Sequence, residues 1–124
     1  MKFNPNNPPR TFRVGAKKHI EISDCAHVEL SPNELITFVT PSGKEYDVAC
    51  KSWGFYATPS MNVRLVNQGF KTALVRNSLG RVYVAIVDTE SRQEFEDYLK
   101  NDKSVLEEWL DERAVKAEAD CFNG

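Results

Sequence analysis

The run from Arg81 to Val87 constrains this chain most. Val82, Val84 and Ile86 alternate onto one side of an extended segment, and Tyr83, Ala85 and Val87 onto the other. A strand that is apolar on both faces needs cover on both, so the sequence predicts an inner strand with helices beside it. Its partner lies just upstream. Lys71 to Arg76 reads as one hairpin arm, and Asn77-Ser78-Leu79-Gly80 as the turn. A second hairpin runs from Leu35 through Pro41-Ser42-Gly43-Lys44 and back along Glu45 to Cys50. Before it, Thr11 to Val14 reads as a short strand. His19 to Leu30 alternates loosely and breaks near Ser23-Asp24.

Helical signals follow the second hairpin. Ser91-Arg92-Gln93-Glu94 has the spacing at which a serine hydroxyl and a glutamate carboxylate each satisfy a helix-end donor. Phe95, Tyr98 and Leu99 continue at helical spacing, so a helix is predicted from Ser91 to about Lys100. Ser104 to Glu107 repeats the box, and Leu106, Trp109 and Leu110 form a further stripe. That points to a second C-terminal helix, although Val105 to Leu110 is also compatible with an edge strand. The fold expected is α+β: an antiparallel sheet of about five to seven strands, a short helix near 59–68, and C-terminal helices packed on one face. At 124 residues the chain suits a single domain, placed at 12–112. Residues 1–11, rich in Asn and Pro, read as a flexible arm, and 113–124 as a fraying tail.

Composition excludes several classes. No apolar run approaches the roughly 20 residues that span a bilayer, so no membrane partner is expected. The first ten residues lack the apolar segment of a secretory signal. Cys25, Cys50 and Cys121 are an odd, widely spaced set, which suits reduced thiols in a cytoplasmic protein. Charge is uneven: residues 1–87 carry eleven Lys/Arg against six Asp/Glu, and residues 88–124 carry five against twelve. An acidic helical layer beside a mildly basic sheet accounts for this, and nucleic acid is not the favoured partner.

The usual chemical motifs are missing or incomplete. Gly43-Lys44 is not a phosphate loop: Phe38 stands where the first glycine belongs, and Glu45 where Ser or Thr should follow. Cys25-Ala26-His27 makes half of a zinc site at best, with no second close pair, so no metal is expected. Ser60 lies in no nucleophile-elbow sequence. Glu45 and Asp47 point the same way along a strand, which reads as a solvated hairpin face. No glycine-rich dinucleotide fingerprint occurs, and no cofactor is expected. No catalytic residue is assigned.

One stretch stands out, from Lys51 to Phe70. Trp53, Phe55 and Tyr56 crowd around Gly54, with Trp53 and Phe55 on one side and Tyr56 on the other if the segment is extended. Thr58-Pro59 resembles a helix cap followed by proline at the first helical position, with Ser60 the rival cap. Met61, Leu65 and Val66 supply an apolar stripe, and Gly69 a stop. Trp53, Phe55 and Met61 also read as core residues. Tyr56, Thr58, Ser60, Asn62 and Arg64 would then present polar groups at a strand-to-helix junction. With Trp53 and Arg76 they form the candidate ligand-binding set, an arrangement suited to an anion.

The runs Trp-Gly-Phe-Tyr-Ala-Thr-Pro-Ser at 53–60 and Gly-Phe-Lys-Thr-Ala-Leu-Val-Arg-Asn at 69–77 resemble segments of small bacterial proteins of unassigned activity. The resemblance spans roughly residues 30–110. It implies a bacterial, cytoplasmic, single-domain protein and carries over no catalytic residue. The function expected is a non-catalytic binding or accessory module, whose anion-binding site lies near Trp53–Arg76 and whose partner is an anionic ligand or a protein. The alternatives are a small enzyme acting on a phosphorylated or carboxylated molecule in the same pocket, and a nucleic-acid-binding sheet.

Overall fold

A computed structural model describes residues 1–15 and 17–113. Antiparallel strands dominate, with a few short helices, so the architecture is broadly α+β. The strands form three small sheets rather than one. The chain divides into two compact units, Met1–Thr58 and Pro59–Gly124, where the sequence predicts one domain over 12–112.

The first unit opens with a two-stranded ribbon. Strand β1 (Lys2–Val14) pairs antiparallel with β2 (Ile20–Glu29). Residues 1–11, expected as an unpaired arm, are thus most of β1. Prolines are tolerated because a two-stranded ribbon leaves an outer edge that needs no donors, and the register shifts between Pro5 and Arg10. Next comes a three-stranded sheet of β3 (Leu35–Val39), β4 (Glu45–Lys51) and β5 (Gly54–Ala57), with β4 in the centre. The turn at 41–44 forms as expected. Thr40 N–H donates to the Lys44 carbonyl at 2.9 Å, and Gly43 takes φ +90°, which favours glycine.

The second unit is built on β6 (Phe70–Arg76), flanked by β7 (Val82–Asp88) and β8 (Val105–Trp109). This corrects the expectation drawn from β7. Although apolar on both faces, β7 is an edge strand with Val82, Tyr83 and Val84 exposed, and the inner strand is β6. Helix α2 (Arg92–Asn101) lies where a helix is predicted, but Ser91 makes no capping hydrogen bond. Asp88 takes that role one turn earlier, accepting from Glu90 N–H at 3.0 Å to start a 3-10 turn over Thr89–Ser91. Phe95 and Leu99 of α2 pack on Ala73, Val75, Ala85 and Val87.

Where a second C-terminal helix is expected from Ser104, Val105–Trp109 is instead strand β8, the edge strand that its sequence also allows, and the chain turns helical only from Leu110. The register of β8 against β6 slips between Leu74 and Val75, so that Val75 faces Leu106 and Ala73 faces Trp109. A bulge puts two residues opposite one and resets the alternation. Leu106 and Trp109, three apart, therefore reach the same core side in an extended chain. The same spacing in sequence imitates a helical stripe.

Helix α1 (Arg64–Asn67) is shorter than the 59–68 expected. It buries Leu65, and Gly69 ends it with φ +86°. The predicted tail at 113–124 lies, beyond Arg113, outside the described residues.

Thr72 is buried beside Ala73, and its hydroxyl has no hydrogen-bond partner among the described residues. An unsatisfied buried hydroxyl costs about 1–3 kcal/mol, and removing it with shape kept is nearly free or favourable. Thermal unfolding of Thr72→Val should therefore show an unchanged or raised Tm. A clear fall would show that the hydroxyl is bonded.

Candidate functional site

The structure distributes the seven candidate residues over the two units. Trp53, Tyr56 and Thr58 belong to the first. Lys51 pairs with Gly54, so Ser52-Trp53 forms the two-residue turn between β4 and β5. Gly54 has φ +140°, and a Cβ there would meet nothing within 4 Å. Its conformation, not its lack of bulk, is what calls for glycine. Because Trp53 sits in a turn, strand alternation does not govern it. Its ring meets Tyr56 edge to face, at 6.3 Å between centroids and 76° between planes. The expectation that Trp53 and Phe55 could serve as core fails: Trp53 is 69% exposed, Phe55 73% and Tyr56 52%.

Thr58 is no helix cap. Its backbone N–H donates to the Asp47 carbonyl at 3.1 Å, and its hydroxyl lies 3.3 Å from Asp47 Oδ2. Asp47, expected on a solvated face with Glu45, is buried on the strand instead. Tyr46, its neighbour on the opposite face, has its hydroxyl pKa raised by burial. The Glu34 carboxyl is held below its ordinary range by the Ser31 N–H, assisted by the chain's terminal amine.

Ser60, Asn62, Arg64 and Arg76 belong to the second unit. Ser60, the rival cap, accepts from Arg64 N–H through Oγ at 2.8 Å, while Leu65 N–H reaches the Ser60 carbonyl. Asn62 lies in the turn between them. Arg76 is placed differently. It ends β6, at the opposite end of the strand from the turn that enters it. Its guanidinium bonds Glu107 on β8 at 2.5 Å and the Gly80 carbonyl at 3.2 Å. The sequence groups Arg76 with Arg64 by nearness along the chain, but a seven-residue strand separates its ends by about 20 Å.

A polar cluster that sequence reading missed lies at the start of β6. Asp111 is buried and accepts from Thr72 N–H at 3.0 Å and Lys71 Nζ at 2.9 Å, while Glu112 accepts from Lys71 at 3.2 Å. Lys71 also stands 5.0 Å from the Trp109 ring centroid, and the Arg92 guanidinium 5.2 Å from it. No sequence signal links Lys71 to Asp111, forty positions on. With Lys71 bonded to both carboxylates and Asp111 to the Thr72 N–H, this cluster ties the chain beyond β8 to the sheet.

Two further candidates can be placed. Cys25 Sγ lies 3.4 Å from the Ser23 carbonyl, and His27 Nδ1 lies 3.2 Å from Asn6 Oδ1. Among the described residues no three His, Cys, Asp or Glu side chains gather as a metal site would require. No helix there is long and apolar enough to cross a membrane.

Burial alone lowers the pKa of Lys71, but the bonds to Asp111 and Glu112 outweigh it, and the net shift is upward. A raised folded-state pKa stabilises below the unfolded value and loses that contribution as pH rises through the folded one. The stability gap between wild type and Lys71→Met, from urea unfolding, should hold steady at neutral pH. It should shrink only above lysine's ordinary 10.5. A gap that closes by pH 9 would contradict the ion pairing.

Comparison of the chain with protein-family models, with curated proteins and with solved structures found no match.

Proposed function

We propose that this protein is a non-catalytic binding module of the cytoplasm, and that its ligand packs a flat or apolar part against Trp53 and Tyr56. The observation that carries the reading is the exposure of these two rings, held edge to face at the tip and strand of the β4–β5 hairpin. Large aromatics standing together in solvent lose little conformational entropy when they bind, and they dominate many binding surfaces. A short turn fixed by Gly54 holds Trp53 ready rather than leaving it to be ordered by the ligand.

An anionic ligand remains the chemistry proposed. The expected cationic partner Arg76 is committed to Glu107, so the aromatic pair carries more of the reading than the arginines do. The alternative, a small enzyme on a phosphorylated or carboxylated substrate, has less support: Thr58 and Ser60 both spend hydrogen bonds on the backbone nearby. A nucleic-acid-binding sheet is the third reading, since bases stack on exposed rings.

Thermal-shift titration with nucleotides and sugar phosphates tests the proposal. A true ligand at a hundredfold excess over Kd should stabilise by about 2.7 kcal/mol. Trp53→Ala and Tyr56→Ala, at exposed positions, should leave Tm without ligand almost unchanged and weaken binding about tenfold or more. An oligonucleotide whose affinity falls steeply with salt would favour the nucleic-acid reading. Ligand shifts untouched by either substitution would overturn the role given to the rings.

A further inference from the structure

We propose that the N-terminal ribbon is an interface between two copies of this chain, paired face to face about a two-fold axis running along its strands. The ribbon has two unlike faces. Partners across the ladder share a face, so Lys2, Arg13, Glu21, Ser23, His27 and Glu29 make one side polar, with Cys25 among them. The other side holds two apolar groups. Phe3, Pro5, Ala26 and Val28 lie near the chain's start, and Phe12, Val14, Ile20 and Ile22 near the ribbon's tip. Between them lie the register shift of β1, with Asn6 to Pro9 as extra residues, and the ion pair of Arg10 with Asp24 at 2.6 Å.

This apolar face is only partly covered: Val14, Ile20, Ala26 and Val28 are half-buried, and the larger side chains stand further out. Phe3 is 60% exposed, Phe12 45% and Ile22 41%. Each ribbon strand packs substantially only on the other. Among the described residues of 1–58, not one apolar side chain is buried. A lone two-stranded ribbon is marginal in water, and an apolar face needs a second layer to be stable.

The charge pattern selects a second copy as that layer. Under a two-fold axis parallel to the strands, β1 lies over the partner's β2. Each apolar group then meets its like, and Arg10 stands over the partner's Asp24. An axis across the strands would instead stack arginine on arginine. The face is therefore self-complementary in one arrangement, as an isologous contact requires. Nucleic acid suits the ribbon less well, because Lys2, Arg10 and Arg13 are already matched by Glu29, Asp24 and Glu21. The register shift in β1 means the ribbon is only as long as the ten residues of β2, about 33 Å, and two strands are about 10 Å wide, giving a footprint of roughly 300 Å² per copy before side-chain relief is counted. That is small for a stable interface, so a dimer dissociating in the micromolar range is expected.

Sedimentation equilibrium of the full chain across about 1–300 μM tests this. The expected result is a mass rising from 14.1 kDa towards twice that value. Phe12→Ser and Arg10→Asp should each shift the curve at least tenfold towards monomer, while Glu21→Gln on the polar face should not. Because Arg10→Asp also removes the ion pair within one ribbon, a second measurement separates the two effects. Arg10→Asp mixed with Asp24→Arg places opposite charges over each other at both positions, and the mixture should dimerise where neither variant does alone. Wild type that stays monomeric throughout would overturn the proposal, as would a dimer indifferent to Phe12→Ser or a mixture that fails to associate. So would a monomer that binds an oligonucleotide through this face.

Discussion

The second unit depends on β6 being paired on both edges. Strand β7 takes one side through a tight turn, and β8 takes the other after the chain has run through α2. Double pairing satisfies the backbone donors and acceptors of β6, which lets its side chains be buried at little cost. Phe70, Thr72, Ala73 and Val75 are accordingly buried. With β6 fixed, α2 has a surface to cover on one face, and Leu65 of α1 lies buried beside the same strand's entry.

The charged groups of this unit follow from that arrangement. Lys71 and Arg76 stand at the two ends of β6, and both are answered by acids from the C-terminal part of the chain. The charge asymmetry seen along the sequence is therefore partly an internal match. Basic residues of β6 meet Glu107, Asp111 and Glu112 across or beyond β8. A mildly basic sheet beside an acidic layer needs no external polyanion to explain it. The first unit has a different economy: two sheets, amphipathic strands and much apolar surface left in solvent. Its rings at the β4–β5 turn and its ribbon face are the places where association would lower free energy most.

Local signals were legible where geometry is local. The hairpin turns at 41–44 and 77–80 and the glycine stop at Gly69 announce themselves through residues that need particular dihedral angles. The body of α2 could be read from Phe95 and Leu99 alone. Misreadings arose where two geometries share one pattern. The bulge in β8 gives Leu106 and Trp109 a helical spacing, and the prolines of β1 imitate a loose arm because an outer strand edge demands nothing of them. Adjacency in sequence, which defines the candidate binding set, keeps Trp53 with Tyr56 but joins Arg76 to a turn at the far end of its strand.

The sequence by itself determined an antiparallel α+β architecture, the main turns and the hairpin pairing, because these depend on dihedral preference and alternation over a few residues. Only the tertiary structure decided that β6 rather than β7 lies inside, that Asp111 closes on Lys71, and that the aromatics at 53–56 stand in solvent. Those outcomes turn on which distant segment supplies the second ladder of hydrogen bonds. Apolar content alone cannot say which of two neighbouring strands will receive it.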